Sequence, residues 1–227
     1  MQSSASASRI PVSIAVKIAP LLGKRTPSLF DSLFPNAVTW HRALAALVMV
    51  GITAALAQSR FYLPDNPVPI TFQTYGVLMT GGLLGLRWGL ISAVVYYLAG
   101  MAGVPVFQNG GNGWAYVAEG VTGGYLLGFI LATAFTGFAS EHGWNRGNSL
   151  WPMTIAALLV YLPGLTWLAV FDFSWPAEGQ LFSQGMYPFI PGDIVKLLLA
   201  ALSVGLLWRI ADRRSGIDPT DGVNTLR

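Results

Sequence analysis

The chain has 227 residues, of which 53% are hydrophobic and only 10% are charged. A soluble domain usually carries about 25% charged residues, so this composition excludes an ordinary water-soluble fold and indicates an integral membrane protein. Cysteine is absent, which excludes disulfides, thiolate metal ligands and a thiol nucleophile. His41 and His142 lie far apart, so no shared metal site is expected. In a membrane protein, the formal net charge of +3 indicates basic cytoplasmic loops and does not indicate nucleic-acid binding.

Residues 1–39 form a Ser-rich, basic extension that has no acidic residue before Asp31. Lys17 interrupts its apolar stretch, which argues against a cleaved secretory signal. Four apolar residues of the extension share one face of a helix: Ile14, Ile18, Leu21 and Leu22. This pattern is compatible with a short interfacial amphipathic helix in a cytoplasmic extension. An organellar transit peptide and a mobile tail are the alternatives that the same composition leaves open.

Six hydrophobic segments of about the length that a membrane-spanning helix needs follow the extension. They cover residues 43–58, 71–85, 87–104, 121–139, 150–171 and 191–209. The predicted fold is therefore an all-α membrane protein with six transmembrane helices, contained in a membrane domain of residues 40–211. Residues 212–227 form a polar C-terminal tail punctuated by Gly and Pro.

Basic residues concentrate on one side of these six segments. On the side of the N-terminus, the lysines and arginines near span ends are Lys24, Arg25, Arg42, Arg87, Arg146, Arg209, Arg213 and Arg214. On the opposite side, Arg60 alone lies in a loop. The positive-inside rule then places both termini in the cytoplasm, and the loops after spans one, three and five face outward.

Polar and aromatic residues concentrate in the outward segments 66–74, 103–129 and 173–196. Those in the first two segments that suit a ligand pocket are Thr71, Gln73, Asn109, Asn112, Trp114, Tyr116 and Tyr125. Taken one at a time, such residues also form turns or anchor the chain at the bilayer interface. Their convergence on one side of the membrane indicates a ligand pocket that opens outward.

Two charges stand at the start of the last span, Asp193 and Lys196. Asp193 falls in the first helical turn, where a carboxylate can also act as a helix cap. An i,i+3 ion pair contributes only about 0.2–0.5 kcal/mol in an isolated helix, whereas a charge at the bilayer centre costs roughly 2.5–3.5 kcal/mol. Snorkelling of the lysine toward the interface would reduce this cost. We interpret the pair as part of the ligand pocket.

Five strings in this order and spacing resemble the BioY family, the biotin-binding S components of energy-coupling-factor (ECF) vitamin transporters. They are PVPITFQT, LLGLRWG, GMAGVPVF, TGGYLLGF and PFIPGDIVK, and the similarity covers roughly residues 43–210. Two departures are visible. Val121 stands where family members often have proline, and FQNGGNGW replaces a plainer Gly/Ala run, so that Asn109 and Asn112 compete as the amide ligand.

The resemblance implies a protein of the bacterial inner (plasma) membrane that captures biotin from outside with high affinity. It implies a membrane-embedded T subunit and ABC-type ATPases as partners, and biotin as transported ligand without any cofactor. The absence of a GxxxxGK[ST] string agrees with ATP hydrolysis by a partner. In the family, the PGD-x-x-K motif lines the pocket, which carries over to Asp193 and Lys196. A carboxylate suits the ureido N–H groups, and an ammonium suits either the ureido oxygen or the biotin carboxylate.

Small residues recur every four positions along the first span, at Gly51, Ala55 and Ser59. This interval lets helices approach closely in lipid. The resemblance makes this face the docking surface for the T subunit, with packing inside the bundle as the alternative. Association with a second copy of the chain also stays open.

Two other functions are weighed against biotin uptake. An S component for another water-soluble vitamin would keep the same architecture. A membrane enzyme using Asp193 as a general base is disfavoured, because no second carboxylate, paired histidine or nucleophile accompanies it at useful spacing. We therefore expect no enzymatic activity.

Overall fold

The computed structural model describes residues 25–146 and 150–214, so the predicted interfacial helix and most of the C-terminal tail lie outside the described residues. The described part is mostly helical, as predicted, and contains one short antiparallel ribbon. In chain order the elements are α1 (Leu29–Leu33), α2 (Thr39–Gln58), β1 (Arg60–Phe61), β2 (Ile70–Thr71), α3 (Gln73–Met101), a 3-10 turn (Gln108–Gly110), α4 (Gly113–Ala118), α5 (Gly123–Glu141), α6 (Trp151–Val170), α7 (Leu181–Gly185), a 3-10 turn (Tyr187–Phe189) and α8 (Ile190–Arg214).

Within the described residues, five helical stretches are long and apolar enough to cross a membrane: α2, α3, α5, α6 and the run Leu181–Arg214 that ends with α8. The first, fourth, fifth and sixth predicted spans each coincide with one of these stretches to within a few residues. The second and third predicted spans both fall in α3, which has 29 residues.

Helix α3 is a hairpin of two helical arms that meet at Gly85. This glycine has φ 75° and ψ −175°, a conformation that an L side chain rarely adopts. The Gln73 side-chain amide donates to the Tyr96 hydroxyl at 2.7 Å, although a straight helix would separate residues 23 apart by about 35 Å. The chain therefore reverses direction at Gly85, where the sequence predicts the break between spans two and three.

Glycines allow α3 and α5 to pack almost backbone to backbone. A Cβ on Gly81 would overlap the Thr136 hydroxyl and the Thr133 carbonyl oxygen of α5. A Cβ on Gly137 would lie 2.6 Å from the Gly85 carbonyl carbon, at the tip of the hairpin. Since lipid supplies no hydrophobic force between helices, such close contacts are what hold a membrane bundle together.

The predicted domain boundary after residue 39 is wrong, because the chain before it belongs to the fold. Leu29 of α1 has no exposed surface and joins the main core. The backbone N–H of Thr26 donates to the Glu141 carbonyl oxygen at 2.7 Å. Residues 25–38 therefore pack against the membrane helices instead of forming a separate extension.

We expect Gly81→Ala to destabilise the protein by about 1–3 kcal/mol, because the added methyl group overpacks the contact between α3 and α5. Thermal unfolding of the purified protein in detergent measures this as a lower melting temperature. Gly51→Ala is the matched control, since a Cβ there meets no heavy atom within 4 Å. Equal melting temperatures for the two variants would contradict the tight contact.

Candidate ligand-binding site

A cavity lies between the β2–α3 segment, α5, α6 and the start of α8. Small-molecule sites commonly combine mostly apolar walls with a few polar groups. The apolar part of this wall comprises Val68, Pro69, Ile70, Leu126, Phe129, Val160 and Phe189. Its lining fits a small, partly polar molecule.

Six of the nine predicted pocket residues line this cavity: Thr71, Gln73, Tyr116, Tyr125, Asp193 and Lys196. They come from four separate parts of the chain, which the sequence could only group by their predicted side of the membrane. The fold thus brings the first outward segment, the central loop and the head of the last helix to one place.

Asn109, Asn112 and Trp114 do not line the cavity, which corrects the prediction for these three. Asn109 has φ 57° and forms part of a tight turn, where asparagine is one of the residues that tolerate this conformation. The Asn112 amide donates locally to the Gly110 carbonyl oxygen at 2.8 Å. Trp114 is 64% exposed and points away from the core. The turn and anchor roles considered for these residues describe them better.

The Asp193–Lys196 pair faces the cavity. Lys196 Nζ lies 2.6 Å from Asp193 Oδ1, and the two side chains are 5% and 14% exposed. Asp193 Oδ2 accepts a hydrogen bond from the Tyr161 hydroxyl of α6. Among the described residues, no backbone N–H is bonded to this carboxylate, so its partners are side chains and not the free amides of its own helix. The pair is a buried polar centre rather than a helix cap.

A second polar centre is built on Gln73. The Thr71 hydroxyl donates to Gln73 Oε1 at 3.0 Å, and Gln73 Nε2 donates to the Tyr96 hydroxyl at 2.7 Å. Tyr96 in turn donates to the Val106 carbonyl oxygen at 2.9 Å. This chain of hydrogen bonds joins both arms of the α3 hairpin to the central loop and holds the Gln73 amide in one orientation.

The segments that the sequence predicts to face outward are also tied to one another around the cavity. The Tyr62 hydroxyl donates to Gln108 Oε1 at 2.8 Å, which links the β1–β2 loop to the central loop. Asn66 Nδ2 donates to the Gln184 carbonyl oxygen at 3.3 Å, which links the β1–β2 loop to α7. Tyr125 donates to the Gly185 carbonyl oxygen at 2.6 Å. These bonds position the loops that surround the cavity.

The predicted pocket residues did not include four polar residues of the wall: Thr74, Gln108, Thr122 and Tyr161. Tyr161 is one of three hydroxyl-bearing residues of α6, with Thr154 and Thr166, so its residue type alone does not identify it as a cavity residue. Gln108 precedes Asn109 in the same loop, and only the turn at Asn109 decides which of the neighbouring amides reaches the cavity.

Burial raises the pKa of the Tyr116 phenol above its ordinary value, and hydrogen bonding with Thr122 and Gln108 opposes that rise. Near neutral pH, Tyr116 therefore contacts any ligand as an uncharged hydroxyl.

The small residues of α2 form an exposed face. Gly51, Ala55 and Ser59 are all exposed, whereas Thr53 and Ala57 of the same helix are buried against the bundle. The alternative in which the three exposed residues pack inside the bundle is therefore wrong for this structure. Gly51, Ala55 and Ser59, the residue that caps α2, therefore form an exposed surface of the described structure.

Comparisons with known proteins agree with this architecture. The BioY family matches residues 31–213. A probable biotin transporter BioY of Methanothermobacter thermautotrophicus is 42% identical over 54% of this chain and 83% of its own length. The biotin transporter BioY of Rhizobium etli is 35% identical over 69% of this chain and 89% of its own. A crystal structure of the S-component for biotin from an ECF-type ABC transporter superposes with a TM-score of 0.64 and 28% identity, over 76% of this chain and 95% of that one.

Apolar spanning helices around a pocket of placed polar groups define a multi-pass membrane protein of the transporter class. The chain belongs to the BioY family, which confirms the resemblance drawn from its five strings. The family consists of transporters and not of enzymes.

We expect Lys196→Met to lower the free energy of unfolding by about 3–5 kcal/mol, because it leaves the buried Asp193 carboxylate without its cation. Asp193→Asn combined with Lys196→Met should recover most of this loss, since neither charge then stays unpaired. Thermal unfolding of wild type, single and double variants tests the point. A single variant as stable as wild type would show that the pair is not buried as described.

Proposed function

We propose that this protein binds biotin from the outer side of the membrane and mediates its uptake as an S component, energised by ATPase partners. The observation that carries the proposal is the meeting of Gln73, Asp193 and Lys196 in one mostly apolar cavity, in a chain of the BioY family. The BioY relatives are described as biotin transporters, and the solved neighbour is described as an S-component for biotin.

The lining of the cavity suits the chemistry of biotin. The ureido ring presents two N–H donors and one polarised carbonyl, and the valerate tail ends in a carboxylate. Asp193 can accept from a ureido N–H, and Lys196 has further N–H groups for an oxygen of the ligand; charge-assisted bonds of this kind are about twice as strong as neutral ones. We assign to Gln108 the amide role that was predicted for Asn109 or Asn112, because Gln108 lines the cavity. Tyr116, Tyr125 and the apolar wall can pack against the thiophane ring and alkyl chain.

We further propose six membrane crossings, counting the two arms of α3 separately, in the bacterial inner (plasma) membrane. The reversal at Gly85 supports that count. The basic residues support a cytoplasmic position for the end that carries α1 and the hairpin tip. Glu141 there accepts from the Leu86 N–H at 2.8 Å and lies 3.9 Å from Arg25, and Arg146 covers Trp208 of α8. The cavity then opens outward.

A membrane-embedded T subunit and ABC-type ATPases complete the proposed transporter. The exposed small-residue face of α2, formed by Gly51, Ala55 and Ser59, is the proposed docking surface for the T subunit. Large apolar side chains flank it, among them Leu47 at 58% and Val48 at 51% exposure. A helix of the partner can approach the small residues closely while the flanking side chains pack on either side.

Purified protein in detergent should bind labelled biotin with one-to-one stoichiometry, and Asp193→Asn should weaken binding about 100-fold or more, because a buried charge-assisted partner is lost. Equilibrium binding with competitors measures both effects. Trp114→Phe, at an exposed side chain outside the cavity, is the control and should bind as wild type. If a different water-soluble vitamin competes more strongly than biotin, that vitamin is the ligand, and the proposed site stays the same.

Ala55→Leu should abolish most biotin uptake by cells without changing biotin affinity of the purified protein, because the larger side chain keeps a partner helix away. Ala169→Leu, at an exposed position of α6, is the matched control and should leave uptake intact. The two measurements are uptake of labelled biotin by cells and co-purification of the partner subunits. Normal uptake by the Ala55 variant would remove α2 from the docking surface.

A further inference from the structure

We propose that Tyr161 is a positioning residue that holds the Asp193 carboxylate in the cavity. This inference rests on the proposed function, since it concerns the same site. Tyr161 belongs to α6 and Asp193 to α8, so the hydrogen bond between them joins two helices across the cavity wall. Nothing in the BioY resemblance assigned a role to this tyrosine.

The Asp193 carboxylate has a competing position that Tyr161 disfavours. Asp193 stands in the first turn of α8, where the positive end of the helix dipole attracts a carboxylate. Lys196 alone does not prevent that orientation, because it belongs to the same helix and its long side chain can follow. The Tyr161 hydroxyl, a donor on another helix, holds the second oxygen of the Asp193 carboxylate at the cavity.

The Tyr161 ring is itself held in place. It is 7% exposed and meets the Tyr125 ring edge to face, at 6.2 Å between centroids and 85° between planes. Tyr125 is fixed in turn by its hydrogen bond to the Gly185 carbonyl oxygen. A Cβ on Gly164 would lie about 2.5 Å from the Tyr125 ring, so this glycine of α6 makes room for it. The Tyr161 hydroxyl is therefore a preorganised donor.

Tyr161→Phe keeps the ring and its packing and removes only the donor. We expect the affinity for biotin to fall about tenfold or more, with a melting temperature close to that of wild type. Tyr187→Phe is the control, because Tyr187 lies outside the cavity and is 56% exposed. An affinity equal to wild type in the Tyr161 variant would overturn the inference.

A double-mutant cycle with Asp193→Asn separates positioning from direct ligand contact. If Tyr161 acts through the carboxylate, Tyr161→Phe should cost much less in the Asp193→Asn background, measured by biotin titration to millimolar concentration. An equal loss in both backgrounds would contradict a positioning role.

Infrared spectroscopy of the ligand-free protein gives a readout that does not need biotin. The carboxylate stretching band of Asp193 is the band that Asp193→Asn removes, and it should shift in Tyr161→Phe but not in Tyr187→Phe. An unshifted band would overturn the inference. Failure of wild type to bind biotin, with the band still shifted, would instead defeat the proposed function and leave the role of Tyr161 standing.

Discussion

The close approach of α3 and α5 is the contact on which the rest of the structure depends. It requires glycine at Gly81 and Gly137, where any side chain would overlap the neighbouring backbone or hydroxyl groups. In lipid, helices gain little from excluding water, so stability comes from the many short contacts that such residues permit. The contact also fixes the hairpin, and through it the position of Gln73 beside the central loop. The cavity is therefore a consequence of helix packing that occurs several turns away from it.

The sequence predicted the helices well because hydrophobic length is a strong signal. The long helices α2, α5, α6 and α8 each coincide with one predicted segment, and α3 contains two, with its reversal at Gly85, the last residue of the second. Asp193 and Lys196 were identified because charges are rare inside membrane spans and costly there. Thr71, Gln73, Tyr116 and Tyr125, which line the cavity, were predicted from their concentration on one predicted side of the membrane.

Other features depend on contacts that no local pattern encodes. Tyr161 has the same sequence environment whether it faces lipid or the cavity, and only the packing of α6 against α5 and α8 decides. Gln108 and not Asn109 lines the cavity because Asn109 adopts a left-handed conformation in the turn. Helix α1 has five residues, too few for a periodic pattern, and Leu29 becomes a core residue only when α3 and α8 enclose it. Sequence reasoning did not predict these features for one shared reason: each depends on the tertiary structure.

The Asp193–Lys196 pair has an electrical consequence for a transporter. These two are the charged residues of the cavity wall within the part of the chain that the structure describes, so their charges cancel. Movement of the empty site through the membrane field then requires almost no electrical work. Under the proposed function, a bound biotin anion would bring its own uncompensated negative charge, and an inside-negative potential would oppose its entry by about 2.3 kcal/mol per 100 mV. In that function, the electrical cost of inward movement would fall to the proposed ATPase partners.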